Sequence, residues 1–380
     1  MNQNKAVTTL QDIIRIPSVN DREHDVAQYI QGLLAEYGIN SELVEYQPGR
    51  SNLVAELKGT EDGKILVFSG HMDVVAAGDP VDWTYPPFDA HIEDDRMYGR
   101  GTTDMKAGVM ALVWAMIRLK EDAVAFKGTL RLVLTVGEEI GMYGSKQMTE
   151  LGYVDDADAI LIAEPSGPDQ VIYAHRGSLQ YQVIAKGKAA HSSTPENGID
   201  ALQLIVDYIQ ESNRRFAEAL PHKVNPDMGA SFNVNTVIQG GDQINSVAGQ
   251  VTLSANARTV PEFSNDEIIA IIEDVMAELS SETTGQLELN VLQNNPPAAG
   301  GHDSALVQAI RQATGRDIPA TVLAGATDAS NFGRVEKPHD LAIFGPGVFN
   351  LAHALDEYVS VSEYLEFIDI FTESAKAYLV

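Results

Sequence analysis

Tyr98-Gly99-Arg100-Gly101-Thr102-Thr103-Asp104-Met105-Lys106-Ala107-Gly108 is the stretch from which the rest of the chain can be read. Two glycines flank an arginine, a carboxylate follows, and an apolar run from Val109 to Leu119 begins at once. Glycine allows a tight turn and close approach to a ligand. The run predicts a helix over 105–120, which places Asp104 at or near its first turn, with amide donors nearby. Taken alone, Asp104 reads as a helix cap. The acids and histidines on either side point to another role.

Working outward, Asn52 to Leu57 and Ile65 to Phe68 predict strands, the second running into Ser69-Gly70-His71-Met72-Asp73. Leu130 to Val136 predicts a buried strand ending in Gly137-Glu138-Glu139, and Ala159 to Ala163 another ending in Glu164-Pro165. Strands alternating with helices indicate a three-layer α/β core rich in parallel sheet. Near residue 180 the rhythm changes to β-α-β-β-α-β, the order of a small α+β (ferredoxin-like) sandwich. The α/β pattern resumes after Asn294-Asn295-Pro296-Pro297. The expected organisation is residues 1–179 and 294–380 as one catalytic domain, interrupted by a second domain over 180–293.

The 380 residues carry a net charge of −28, which disfavours nucleic acid and anionic membranes as partners. There is no cysteine, so a metal would be held by His, Asp and Glu alone. Met1 to Lys5 is polar with no signal-peptide core behind it, and no apolar run approaches the roughly 20 residues that span a bilayer. The expectation is a soluble cytoplasmic protein.

The candidate ligands lie at strand ends, where open α/β sheets bind their ligands. His71 and Asp73 are two apart, and so share a face on an extended chain. Glu138, Glu139 and Glu164 follow strands, and His353 lies in a late loop. Each alone reads as a solvated side chain. Together, neighbouring buried carboxylates repel unless a cation neutralises them. The pattern suggests a dinuclear site with ions about 3.5–4 Å apart. Asp104 would bridge, with His71 and Glu164 on one ion and His353 and Glu139 on the other. Asp73 would orient His71, and unliganded Glu138 would be the general base. This donor set suits zinc, with cobalt or manganese as substitutes.

With Ala190-His191-Ser192-Ser193-Thr194-Pro195 and His353-Ala354-Leu355-Asp356-Glu357 added to the segments above, the ordered set covers essentially the whole chain. It resembles the two-zinc metallohydrolase family of succinyl-diaminopimelate desuccinylases, acetylornithine deacetylases, aminoacylases and glutamate carboxypeptidases. The resemblance implies the same ligand and base roles, and an inserted domain that forms a homodimer. It implies that His191 stabilises the oxyanion in the partner subunit's site, that Asn245 lies near the substrate, and that Arg176 and Arg258 bind its carboxylates. Gly325 and Thr327 would contact its amino-acid end. Without the family, Arg258 reads as a surface salt bridge. The implied activity is metal-dependent removal of an acyl group from an N-acyl amino acid. The His191 run looks most like the desuccinylase branch, ahead of acetylornithine deacetylases and of carboxypeptidases or dipeptidases. The loop Ala324-Gly325-Ala326-Thr327-Asp328-Ala329 looks closer to carboxypeptidase-like members. A binding protein with a dead site would lack a ligand or the base, and none is missing.

Overall fold

The computed structural model describes residues 2–379, apart from the Glu282 side chain, and divides into two compact units. The first comprises Met1–Ala174, Ala299–Val322 and Thr327–Val380; the second comprises His175–Ala298 with Leu323–Ala326. The division therefore falls at 174/175, not 179/180. The reason is that the strand Gly177–Lys186 pairs along its whole length inside the second unit, from Gly177 opposite Thr259 to Lys186 opposite Gln250. The short segment 323–326 was not expected there; Arg176 donates its backbone N–H to Leu323.

The first unit is built on a mixed sheet. Its middle is four parallel strands in the order Lys127–Thr135, Glu61–His71, Ala159–Ile162, Asp340–Ile343. Antiparallel strands extend it, Arg50–Lys58 and Ser41–Gln47 on one side and Val171–His175 on the other. The sheet is thus less parallel than the alternation suggested. Central strands buried on both faces read as near-continuous apolar runs, which is why Ala159 to Ile162 lacks a polar residue and Leu130 to Leu134 is broken only by Arg131, half-buried and paired with Glu56 and Asp156. All four parallel strands deliver their C-terminal ends to one edge.

Helix Ala107–Glu121 is buried at every position from Ala107 to Ile117. It packs against the sheet and against helix Val361–Tyr378. The latter sends Phe367 and Phe371 into the core, with ring centroids 4.8 Å from Phe344 and 5.9 Å from Phe68 respectively. Gly108 and Gly345 close around the strand end at Ala163. A side chain on either would press into the Ala163 carbonyl, its Cβ 3.0 Å and 2.6 Å from the carbonyl carbon. That close approach fixes the direction in which Glu164 leaves the sheet.

The second unit is a four-stranded antiparallel sheet in the order Phe232–Gly240, Gln250–Thr259, Gly177–Lys186, Gln286–Asn295. Helices Ala201–Ala219 and Asn265–Glu282 pack on it. Leu179, Tyr181, Val183 and Ala185 alternate inward with Leu253, Ala255 and Ala257 opposite, the two-residue period of a one-sided sheet. Asp200 caps the first helix, and a Ser264–Glu267 capping box starts the second.

Candidate metal centre

His71 is the last residue of its strand and is 1% exposed. Its Nδ1 lies 3.0 Å from the backbone oxygen of Asp73. A carbonyl only accepts, so Nδ1 carries the proton and Nε2 is the nitrogen presented to the site. That nitrogen is 3.0 Å from Asp104 Oδ1 and 3.7 Å from Glu164 Oε1. The second imidazole, His353, places Nε2 3.4 Å from Asp104 Oδ2 and 3.0 Å from the Glu139 carboxylate. Each Asp104 oxygen thus faces a different histidine. Ligating atoms of His71, Asp104 and Glu139 all lie within 4.8 Å of one another.

Two expectations need correction. Asp104 neither caps the helix nor lies in its first turn: the helix begins at Ala107 with Lys106 at its cap position, and Asp104 is extended (φ −119°, ψ 97°). The chain turns through Gly101 at φ 87°, which sends the carboxylate toward the histidines. Asp73, for its part, orients His71 through its backbone oxygen; its carboxylate Oδ1 is 3.6 Å away from Nδ1. The carboxylate instead accepts the N–H groups of Glu138 and Glu139, both at 3.1 Å, and so holds the turn that carries them.

Glu138 differs from its neighbours. Among the described residues no side chain hydrogen-bonds its carboxylate, whereas Asp104 and Glu139 meet imidazoles. Burial raises the Glu138 and Glu164 carboxyls well above their ordinary range, and nearby carboxylates add to the effect. Burial also raises Glu139, against the hydrogen bond from His353. Burial would lower His71, but Glu164, Asp104 and Asp73 outweigh it and hold the imidazole well above its usual value. His353 is pushed up to about 10 by Asp104 and Glu139. The cluster holds excess negative charge and binds protons in compensation. Two imidazoles and several carboxylates converging on a few ångströms are the oxygen and nitrogen donor set of a divalent-metal site, so the residues fit such ions.

The remaining candidates belong chiefly to the second unit. His191 pairs across a two-residue ladder with Ser246, and Ser192 donates its N–H to the Asn245 oxygen at 3.0 Å. His191 and Asn245 are therefore neighbours, both exposed. Arg258 lies opposite Phe232 in the sheet, and the Arg176 guanidinium lies 5.3 Å over the same ring. Arg176 already donates to the carbonyls of Ala230 and Met228. Gly325 lies in the short returning segment. Thr327, in the first unit, is 3% exposed, and its hydroxyl accepts the Ala329 N–H.

Sequence reasoning missed the supports of the centre. Lys106 is fully buried and donates to the carbonyls of Ile13 and Ile16, both at 2.8 Å, tying the Asp104 turn to the first helix. Arg50 forks onto buried Glu23 at 3.0 and 2.7 Å and packs beneath Gly137. Asp328 is buried and accepts from Thr135. Arg100 and Glu357 join the two loops that carry Asp104 and His353. The one available signal was an arginine within a glycine turn that needed a counter-charge.

Residues 67–377 match the model of the peptidase family M20/M25/M40. A protein of Staphylococcus epidermidis named a probable succinyl-diaminopimelate desuccinylase is 37% identical, the alignment covering 100% of this chain and 99% of that one. Among solved structures, aminopeptidase PepT from Bacillus cereus is similar with a TM-score of 0.78 at 22% identity, over 100% of this chain and 99% of that one. The YXEP protein of Bacillus subtilis, a dinuclear metal binding peptidase of the M20 family, gives 0.73 at 17% identity, over 99% and 98%. The matched span and the full-length identity place the chain: it belongs to the M20/M25/M40 peptidase family, and is a metal-dependent amide hydrolase.

Proposed function

We propose that the protein hydrolyses the amide of an N-acyl amino acid, with succinyl-diaminopimelate as substrate, and that it does so as a cytoplasmic homodimer. The observation that carries the reaction chemistry is Glu138, a half-buried carboxylate that no side chain hydrogen-bonds among the described residues, beside a His/Asp/Glu cluster. The succinyl group rests on the full-length relative of that name. The Ala324–Ala329 loop favours a carboxypeptidase-type substrate as the second reading.

His71 and Glu164 would hold one divalent ion, and His353 and Glu139 the other, with Asp104 between them. When bound, such ions, zinc by donor type, polarise an amide carbonyl and acidify water. Glu138 takes the proton of the attacking water, a task suited to a carboxyl that burial holds well above the ordinary carboxylate range. It then returns that proton to the leaving amine. The backbone bonds from Glu138 and Glu139 to Asp73 keep the base-bearing turn in place during both transfers. His191 would donate to the oxyanion in the partner subunit's site, with Asn245 beside it at the end of the two-residue ladder. Arg258, whose guanidinium meets no protein partner among the described residues, takes the substrate carboxylate, and Arg176 adds charge behind it. Gly325 and Thr327 shape the loop at the amino-acid end.

The homodimer has its own support. Phe232–Gly240 is an edge strand, with Phe232, Val234, Val237 and Ile238 each 45–51% exposed. A long apolar edge of this kind invites pairing unless a partner covers it. The second copy would cover it.

The test is hydrolysis of succinyl-diaminopimelate, N-acetylornithine and a dipeptide set by the zinc-loaded protein, repeated after chelation. Metal-dependent preference for the succinyl compound supports the proposal. Preference for another substrate overturns the acyl assignment, and turnover that survives chelation overturns the mechanism.

A further inference from the structure

Arg100 and Glu357 take no part in the chemistry above, yet they are 3% and 0% exposed. Their charges meet at 2.6 Å, through Arg100 Nη1 and Glu357 Oε2. The other carboxylate oxygen accepts three backbone N–H groups, from Gly101 at 3.1 Å, Thr103 at 2.8 Å and Asp104 at 3.0 Å. The same Nη1 also donates to the Ala354 carbonyl at 3.2 Å, and Nη2 donates to the His353 carbonyl at 3.3 Å. The carboxylate grips the turn that carries Asp104, and the arginine grips the turn that carries His353.

Both turns leave one small sheet, in which Tyr358–Ser360 pairs antiparallel with Arg96–Tyr98. Gly99 donates its N–H to the backbone carbonyl of Glu357 at 2.9 Å, continuing the zipper toward the site. His353 and Asp356 hold left-handed backbone, with φ of 63° and 53°. Such residues keep that conformation only where their surroundings over-determine it. A buried ion pair stabilises little compared with an apolar pair of the same shape, so its value here lies in placement.

We infer that Arg100 and Glu357 are positioning residues, a clamp that sets His353 against Asp104 and thereby the affinity for the ion on the His353 side. The inference rests on the two-ion reading. It is selective because His71 is held independently: its strand pairs on both sides, and its Nδ1 is fixed by Asp73. His353 sits on a loop rather than a strand, and that loop is held by the clamp and by Asp356, which accepts from the Thr84 N–H and hydroxyl at 2.7 and 2.8 Å.

The experiment is titration of the metal-free full chain with cobalt(II), read by visible absorption and by calorimetry, without any activity readout. The native chain takes up two ions in separable events. Glu357→Gln keeps an oxygen for the three N–H groups but loses the charge facing Arg100. One binding event should weaken by about 10–100-fold, the range for lost supports behind a ligand, while the other keeps its affinity and its spectrum. Arg100→Lys keeps the charge but not the reach to both carbonyls, and should show the same selective loss; it decides the matter if Glu357→Gln does not fold. Two unchanged affinities with a lower melting temperature would make the pair merely structural and overturn the clamp. Equal weakening of both events would overturn its selectivity. A native chain that takes up fewer than two ions would overturn the two-ion reading itself, a failure visible before any variant is made.

Discussion

Replacing Gly108 and Gly32 by alanine, one at a time, makes the same chemical change in two helices with opposite expected results. Gly32, in helix His24–Glu36, has nothing within 4 Å of where its Cβ would stand. Gly32→Ala should therefore gain the helix-propensity difference of about 0.5–1 kcal/mol. Gly108 has the same propensity to gain, but its Cβ would stand 3.0 Å from both the carbonyl carbon and the Cβ of Ala163, and closer still to the oxygen. Carbon pairs rest at about 3.5–4.0 Å, so roughly 0.5–1 Å must open. The helix cannot retreat, being buried at each position from Ala107 to Ile117. Overpacking of this kind costs about 1–3 kcal/mol, which leaves a net loss of about 0–2.5 kcal/mol after the propensity gain. The displaced strand end leads directly to Glu164, 3.7 Å from His71, so zinc affinity should fall as well. Urea unfolding of the two metal-free variants, followed by zinc titration, measures both effects. If Gly108→Ala were as stable as Gly32→Ala and bound zinc like the native chain, the packing argument for the Glu164 position would be wrong.

The metal-free protein should lose stability as pH rises. His353, held up to about 10 by Asp104 and Glu139, contributes fully below its unfolded pKa of about 6.5, and that contribution is lost as pH passes through the folded value. Glu138 and Glu164, raised by burial, act in the same direction, because the folded state keeps protons that the unfolded chain releases. Melting temperatures between pH 6 and 10 should fall in the metal-free protein and fall less in the His353→Gln variant; a rise with pH would contradict the charge balance described here. Arg258→Ala should raise KM by about 10–100-fold with kcat little changed, the signature of lost binding to a charged group common to ground and transition states. A drop confined to kcat would move Arg258 out of substrate binding. Ile238→Lys on the exposed edge strand should yield a monomer in sedimentation with an unchanged melting temperature for the isolated subunit, and a persistent dimer would place the interface elsewhere.

Much of the first unit is legible in the sequence because its ligand-bearing strands are buried on both faces and end abruptly in polar residues. Leu130 to Val136 before Gly137-Glu138-Glu139 shows this plainly. The β-α-β-β-α-β order of the second unit was legible for a similar reason, with strands at a two-residue period and helices at their own. What escaped was atomic or long-range. Spacing places His71 and Asp73 together, but it cannot say that the backbone oxygen of Asp73, and not its carboxylate, reaches the imidazole. Apolar periodicity begins near Met105, so the extended backbone at Asp104 was invisible. The Arg100–Glu357 pair closes across 257 positions, and an arginine within a glycine turn does not say which carboxylate will meet it.

The central claim is that Glu138 moves the proton while its neighbours hold metal. The most direct measurement is metal content and turnover of Glu138→Gln prepared alongside the native chain. Unchanged metal content with kcat lower by at least about 10²-fold is the expected result, from the range for a lost general base. Retained turnover, or metal lost together with activity, would contradict it.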